Sequence, residues 1–405
     1  MLWGSGRPSK AVRTSRRIPD RRSFPMNVTI AQSAFERALS VAGRAVPSRA
    51  TLPTLTHVLL QAEPGRLKVA GTDLNLAIIT WEEALVSEPG GITVPAKPLA
   101  DFIGALPDEP IHLRVHRETW TLHIVCGSYE TAMKGLDPEE YPILPDIEGD
   151  GFALDPEDFR QAIDQVTFAA ATDETRPILT GVLIRREEGP AGGATVLTMA
   201  AADGYRLSVK TMPALRAPEG PFSVIVPAST LEEVGRLLKG ETEPVSMMAL
   251  RGRNQVGFRL SRAAVLSQLI EGQFPDFQAI IPKRWETRVE ISREALLKAC
   301  KALSVFARET SNAVRLVITP GEGNRPGQVL LQSRSPEKGE TRVAIDALVE
   351  GNRLEIAFNV RFLMDVLEAI EGDRVAFEMT SPQSPVKVLS VGDPSFVHVV
   401  MPMFL

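Results

Sequence analysis

The chain has 405 residues, 44% hydrophobic and 23% charged, with a net charge of −5; these values suit about three domains of ordinary size in a globular, soluble protein. No run approaches the roughly 20 apolar residues of a membrane helix. Two cysteines, Cys126 and Cys300, are too few for a disulfide framework and fit a reducing cytoplasm.

Residues 1–25 carry Arg7, Lys10, Arg13, Arg16, Arg17, Arg21 and Arg22 against Asp20 alone, a net +6 that leaves −11 for the remainder. They hold no continuous apolar segment and so are no secretory signal. An organelle transit peptide, a basic disordered tail and a true start at Met26 stay open; a disordered leader or a mis-assigned start is the expectation.

From Met26 the chain alternates strand and helix signals. Val28 and Ile30 open a short strand, then Phe35, Ala38, Leu39 and Ala42 recur at helical spacing. The same opening returns with Phe159, Ala162, Ile163 and Val166, and again with Leu296, Ala299, Cys300 and Leu303. Cys300 thus takes the place of Leu39 and Ile163, which predicts a small buried hydrophobe rather than a reactive thiol. Strand-rich stretches follow each helix: Leu55 to Gln61, Ile178 to Arg185, and Val314 to Ile318.

A second helix pattern comes after Val-Pro or Phe-Asn in each third of the chain. Leu99, Leu231 and Leu363 stand 132 residues apart, with Phe102, Val234 and Val366 and then Leu106, Leu238 and Ile370 in the same frame. Ile103 and Leu367 also match, and Gly235 is the one weak copy. Ser229 with Glu232 predicts a capping box at the middle copy. Each repeat reads β-α-β-β-β-α-β-β-β. Strands that follow one another without helices between them pair antiparallel, so the class is α+β. Repeats of this length are duplicated domains rather than a solenoid. The expected divisions are a leader at 1–25 and domains at 26–147, 148–284 and 285–405.

Chemistry is sparse. His112 and His116 share a strand face and His123 neighbours them, but no carboxylate or cysteine pair completes a metal site; exposed strand histidines are expected, and no metal. There is no Walker loop, no Rossmann fingerprint and no nucleophile elbow. Asp73 and Asp203 occupy equivalent turns in two repeats, which predicts Asx-type turns. Asp203 with Arg206 would need a second carboxylate or a metal to act as a nuclease or hydrolase, so no catalytic residue is assigned. Basic residues on or beside the helices (Arg37, Arg44, Lys97, Arg160, Arg236, Lys239, Lys298, Lys301, Arg361) are interleaved with acids, and an ordinary solvated face explains them equally well. By charge alone, a body at −11 is no DNA binder.

Several blocks then join: Thr51-Leu-Pro-Thr-Leu, Gly71-Thr-Asp-Leu, Ala202-Asp-Gly-Tyr-Arg-Leu, Gln273-Phe-Pro-Asp-Phe, Phe358-Asn-Val and the ending Val400-Met-Pro-Met-Phe-Leu. In this order, from Met26 to Leu405, they resemble the bacterial sliding clamp family, the β subunit of DNA polymerase III. The resemblance implies three similar domains, each with two helices and antiparallel sheets, and a head-to-tail homodimer forming a six-domain ring around duplex DNA. It implies a non-catalytic processivity factor without cofactors, whose partners are the replicative polymerase, the clamp loader and repair proteins. A closed ring is held on DNA by topology and needs only weak phosphate contacts, which reconciles the acidic charge with the function.

The resemblance also implies a partner-peptide pocket at Leu179, Ala202, Gly204, Tyr205, Arg206, Leu207, Pro275, Ile280, Asn359, Phe362, Val399, Met401, Pro402, Met403 and Leu405. It implies DNA contacts at Arg49 and Arg176, and a dimer contact between Met133 and Val305-Phe306. Ala202 stands where Thr is common in the family, Tyr205 where His is, and Phe404 where a basic residue is. Pro177-Ile178 replaces an aromatic pair. These departures bear on peptide preference. A repeat-built scaffold that binds proteins but not DNA is the remaining alternative, and retention on circular but not linear DNA separates it from a clamp.

Overall fold

The computed structural model describes residues 26–147, 149–189, 193–250, 252–323, 325–335 and 339–404; the expectations for residues 1–25 and for Leu405 lie outside them. The first domain comprises β1 (Asn27–Ala31), α1 (Gln32–Ala42), β2 (His57–Glu63), β3 (Arg66–Thr72), β4 (Leu76–Glu83), β5 (Leu85–Glu88), β6 (Gly90–Pro95), α2 (Ala96–Gly104), β7 (Pro110–His116), β8 (Thr121–Cys126) and β9 (Tyr129–Lys134). The second comprises β10 (Phe152–Leu154), α3 (Pro156–Val166), β11 (Gly181–Gly189), β12 (Gly193–Ala202), β13 (Arg206–Pro213), β14 (Ser223–Pro227), α4 (Ala228–Leu237), β15 (Val245–Leu250), β16 (Gln255–Arg259) and β17 (Ala263–Gln268). The third comprises β18 (Thr287–Ser292), α5 (Arg293–Ala307), β19 (Ala313–Thr319), β20 (Gly327–Ser335), β21 (Gly339–Gly351), β22 (Leu354–Asn359), α6 (Val360–Ala369), β23 (Arg374–Met379), β24 (Val386–Ser390) and β25 (Asp393–Val400).

The class is α+β: three domains, each with two helices and antiparallel sheets. The expected order needs one correction. Four strands, or five in the first domain where the short β5 is added, separate the two helices of each repeat, not three. The additional strand is the one that follows the Asp73 and Asp203 turns, β4 and β13; the β-branched run before each second helix, such as Ile225-Val226, forms a strand as its composition predicts and pairs with β11. The predicted strand starts at Leu55 and Ile178 also move. Pro53–Thr56 and Pro177–Thr180 form 3-10 turns, because a proline at the first position presets φ for a helical turn.

The repeat frame falls on the core. Leu99, Leu231 and Leu363 are fully buried, as are Val234 and Val366, while Leu106, Leu238 and Ile370 close the same face. Phe102 is half-buried against the first core. Burying one such Leu or Val is worth about 1.5–3 kcal/mol over leaving it exposed, so the stripe is what attaches each second helix to its domain. Gly235, the weak copy, has a reason: a Cβ there would lie 3.2 Å from Ile163 Cγ2 on α3. A larger side chain would push the two helices of the second domain apart. Ile163 itself holds the place of Leu39 and Cys300, all three buried. Burial pushes the Cys300 thiol up to about 12, so it stays a neutral hydrophobe.

The capping box at Ser229 does not form. The helix already begins at Ala228, its N-cap is Pro227, and no side chain caps it; Ser229 therefore sits two residues past the N-cap. Side-chain caps occur elsewhere: Asp155 accepts from the amides of Glu157 and Asp158 before α3, Ser292 from Ala295 before α5, and Asn359 from Arg361 before α6.

The chain forms two compact units, one drawn from the first domain and one holding the second and third. In the first unit a sheet in the order β5-β1-β7-β8-β9 and the strands β3-β2-β6 share one core with α1 and α2. In the second unit a continuous 12-stranded sheet runs β14-β11-β12-β13-β25-β24-β23-β18-β21-β20-β19-β22. Its join is β13 against β25, from Arg206 opposite Val400 to Lys210 opposite Phe396. That antiparallel ladder unites the two domains, and the near-buried Lys210 reinforces it by bonding Asp393 (3.1 Å) and Ser395 (2.7 Å).

Candidate functional site

The site is built around the turn from β12 to β13. Asp203 Oδ1 accepts the amides of Tyr205 (2.8 Å) and Arg206 (2.9 Å), the Asx geometry expected from sequence. Asp73 does the same in the first domain, accepting from Asn75 (2.8 Å) and Leu76 (2.7 Å). Both aspartates therefore shape the backbone. Gly204 at the apex has φ +93°, and a Cβ there would meet the Arg176 guanidinium at 2.9 Å. The positive φ is what calls for glycine, since the exposed Arg176 side chain can move aside.

Arg206 is nearly buried, and its Nε donates to Asp203 Oδ2 at 2.9 Å while its Nη1 donates to Asp365 Oδ2 on α6 at 2.5 Å. Its guanidinium lies 4.5 Å from the Phe362 ring centre and 5.4 Å from that of Phe168. A planar cation between two rings and two carboxylates is one that Lys could not replace. Beside it His398 is wholly buried, with Nδ1 2.8 Å from Ser208 Oγ and its ring stacked on Phe168. Burial, then the charge of Arg206, pushes its pKa down to about 3, so the ring is neutral near pH 7.

On the opposite face of the same two strands, Leu207 and Val399 are register partners. They form an apolar cluster with Leu183, Ala200, Val209, Ile225, Phe274 and Phe277, and half-buried Ile178 and Ala202 pack against it. Pro275 lines a cleft of about 690 Å³ along the same cluster, between the 269–277 segment and Ser223–Ile225. The segment after β25 is tied at two points: Met401 N–H donates to the Tyr205 carbonyl at 2.8 Å, and Met403 N–H to the Ala357 carbonyl at 2.8 Å. Tyr205 (62% exposed), Met401 (37%), Ile280 and Phe404 (86%) offer apolar surface to solvent.

Of the residues expected at a pocket, Ala202, Leu207 and Val399 thus meet in one cluster, and Gly204, Tyr205 and Met401 meet at the turn. Pro402 is half-buried between the two ties. Arg206 and Phe362 lie together, but on the helix side of the strands, where Phe362 also packs on the third domain's core. Asn359 caps α6. Leu179 sits in the 3-10 turn and its carbonyl accepts the Ala171 amide at 2.8 Å. Ile280 ends a 3-10 turn over Phe277. Asp365, Phe168 and His398 were not legible as members of the site. Asp365 is 159 residues from Arg206, and no local pattern links them.

The other expected positions are scattered. Arg49 is exposed in a loop of the first domain. Arg176 is exposed, with Nη2 3.3 Å from the Asp203 carbonyl, so it abuts the same turn. Among the helix-face cations, Arg37 pairs with Glu82, Arg160 with Glu157 and Asp164, Arg236 with Glu233, and Lys301 with Glu368. The exposed Lys301–Glu368 pair is worth about 0–1 kcal/mol, whereas Glu82 is buried and Glu233 largely so. His112 bonds Thr29 and His116 bonds Thr119, while His57 is buried against Thr93.

Two strand edges stand out. β9 pairs only with β8 among the described residues, and Met133 on it packs against the first core. In β21, Gly339–Ala347 pair with β20, while only Thr287–Glu290 of β18 meet its far end. Val305 (51% exposed) and half-buried Phe306 lie in the last turn of α5.

Comparison with known proteins gives the same picture across the chain. Family models for the DNA polymerase III beta subunit match in three parts: the N-terminal domain at residues 26–145, the central domain at 153–276 and the C-terminal domain at 278–404. The beta sliding clamp of Synechococcus elongatus is 34% identical over 387 residues, covering 94% of this chain and 100% of the relative. That of Caulobacter vibrioides is 32% identical over 380 residues, covering 93% and 100%. Among solved structures, the Caulobacter crescentus beta sliding clamp aligns with TM-score 0.86 at 31% identity, covering 94% of this chain and 100% of that one. The Pseudomonas aeruginosa sliding clamp bound to griselimycin aligns with TM-score 0.85 at 29% identity, again covering 94% and 100%. The chain belongs to the DNA polymerase III beta subunit family, the beta sliding clamps.

Proposed function

We propose that two copies of this chain join head to tail into a six-domain ring that encircles duplex DNA, and that this is how it serves as the non-catalytic processivity factor of DNA polymerase III. The observation that carries the ring is the β13–β25 ladder. There the last strand of one domain completes the third inter-helix strand of the domain before it. β21 holds the same place as β13, and β9 the same place as β25. Among the described residues β9 is a sheet edge, and Gly339–Ala347 of β21 have a partner strand on one side only; open edges invite pairing. Applying the same relation from the third domain of one copy to the first domain of another pairs β21 with β9. Two such joins close the ring, with Met133 near one edge and Val305-Phe306 near the other.

A ring retains DNA by enclosure, so Arg49 and Arg176 need supply only weak, sequence-independent phosphate contacts. Strong contacts would hinder sliding. Partner proteins, namely the polymerase, the clamp loader and repair factors, dock short peptides on the surface formed by Ala202, Tyr205, Met401 and Met403, which the buried Leu207–Val399 pair supports. Its flexible methionines suit adaptable apolar recognition. The test is loading onto nicked circular DNA followed by linearisation: a clamp stays on the circle and runs off the cut ends. A scaffold that ignores DNA would be retained on neither.

A further inference from the structure

Asp365 lies on α6 in the third domain, yet its carboxylate reaches a turn of the second. We propose that Asp365 is a positioning residue for the peptide pocket: by gripping Arg206 it holds the 203–205 turn, and through the Tyr205 carbonyl it holds the segment that follows β25. The proposal rests on the pocket reading just given and deepens it.

Three observations carry it. Arg206 is nearly buried, and a buried cation persists only when its charge is met by well-placed partners. Asp203 meets one edge of the guanidinium at 2.9 Å, but the other oxygen of Asp203 is committed to the amides of Tyr205 and Arg206. Asp365 supplies the second edge at 2.5 Å, and charge-assisted bonds of this kind are the strong ones. Asp203 therefore joins the turn to Arg206, and Asp365 joins Arg206 to α6. The far side of the turn carries the consequence, since the Tyr205 carbonyl accepts the Met401 amide at 2.8 Å. Met403 is held separately by Ala357 on β22, so the same short segment contains its own control. Because Arg206 is already neutralised by two carboxylates, it offers a partner structural support rather than a free cation.

Asp365 is a strut more than a core group. Its side chain is 39% exposed, and the two domains remain joined by the β13–β25 ladder without it. The experiment uses the full chain, its Asp365→Ala, Asp365→Asn and Asp365→Glu variants, a labelled hexapeptide ending in Leu-Phe, and amide hydrogen exchange. Asp365→Ala is expected to weaken the peptide by about tenfold and speed exchange at Met401 by a similar factor, the scale of one lost charge-assisted bond. Exchange at Met403 stays at the wild-type rate. Asp365→Asn, which keeps the shape, moves both readouts the same way but less, and Asp365→Glu restores them in large part. A merely structural role would loosen Met401 and Met403 together, which overturns the proposal. Wild-type exchange at Met401 in Asp365→Ala overturns it as well, even with peptide binding weakened. A wild-type chain that does not bind the peptide overturns the pocket reading and this proposal with it.

Discussion

Met401 donates its backbone amide to the carbonyl of Tyr205 at 2.8 Å, so the segment that ends the third domain is moored on a turn of the second. Around this bond stand the exposed Tyr205 ring, the Met401 side chain and the buried Leu207–Val399 pair. Local backbone chemistry thus gathers residues nearly 200 positions apart onto one apolar surface.

Deleting residues 401–405 removes that surface and is expected to abolish partner-peptide binding and polymerase stimulation. Burying one Leu or Phe side chain there contributes about 1.5–3 kcal/mol, a tenfold to hundredfold effect on a micromolar contact. The dimer is expected to survive, because β9, β21 and Phe306 lie elsewhere. Peptide titration beside sedimentation of the truncated chain checks both halves. Unchanged peptide affinity would refute the pocket, and loss of the dimer would make the tail structural.

Phe306→Asp places a charge in the last turn of α5, at the proposed contact between copies. The half-buried side chain is not part of the third domain's main core, so the domain is expected to fold with little loss of stability. Sedimentation is expected to show monomers, and loading on circular DNA is expected to fail. A variant that remains dimeric would move the contact away from α5.

His398 gives the protein an acid-sensitive join. Its folded pKa is pushed down to about 3 from 6.5, so below pH 6.5 the unfolded chain takes up a proton that the folded one refuses. The stability contribution is complete above pH 6.5 and is lost as pH falls toward 3, at up to about 1.4 kcal/mol per unit. Melting curves at pH 7 and pH 5 are expected to separate more for the wild type than for His398→Phe, which keeps a stacking ring on Phe168 but cannot titrate. Equal separations would mean that this ring does not govern the acid response.

Two helix starts provide a matched pair. Asp155 accepts two amides before α3, and Asp155→Ala is expected to cost about 1 kcal/mol. Ser229 lies inside α4 with no capping bond, so Ser229→Ala is expected to leave the melting temperature within the range of a neutral surface change. A loss at Ser229 equal to that at Asp155 would contradict the assigned start of α4.

Much of the fold was legible because it is written three times. Leu99, Leu231 and Leu363 recur at one interval, and a helix can present such a stripe to a core in only one way. Gly235 looked like a lapse in that stripe until Ile163 proved to lie against it. The additional strand in the first two repeats was hidden because the apolar runs from Leu67 and Leu197 pass through one short turn, at Asp73 and Asp203, straight into the next strand. At the site, Asp203 was readable from the turn it shares with Asp73. Asp365 was not, since a salt bridge across 159 residues leaves no periodic trace, and neither did the burial of His398, which depends on how two domains share one sheet. The clamp-family blocks pointed to the surface, but not to which of its members face the strands' outer side and which, like Arg206 and Phe362, face the helices.

The central claim is topological retention. Labelled chain is loaded onto nicked circular duplex DNA by its clamp loader, separated from free protein by gel filtration in salt high enough to screen phosphate contacts, and followed after a single restriction cut. Two copies of the chain per ring are expected to stay with the circle and to be lost once the DNA is linear. Equal retention on circular and linear DNA, or loss from both at the same salt, would contradict the account.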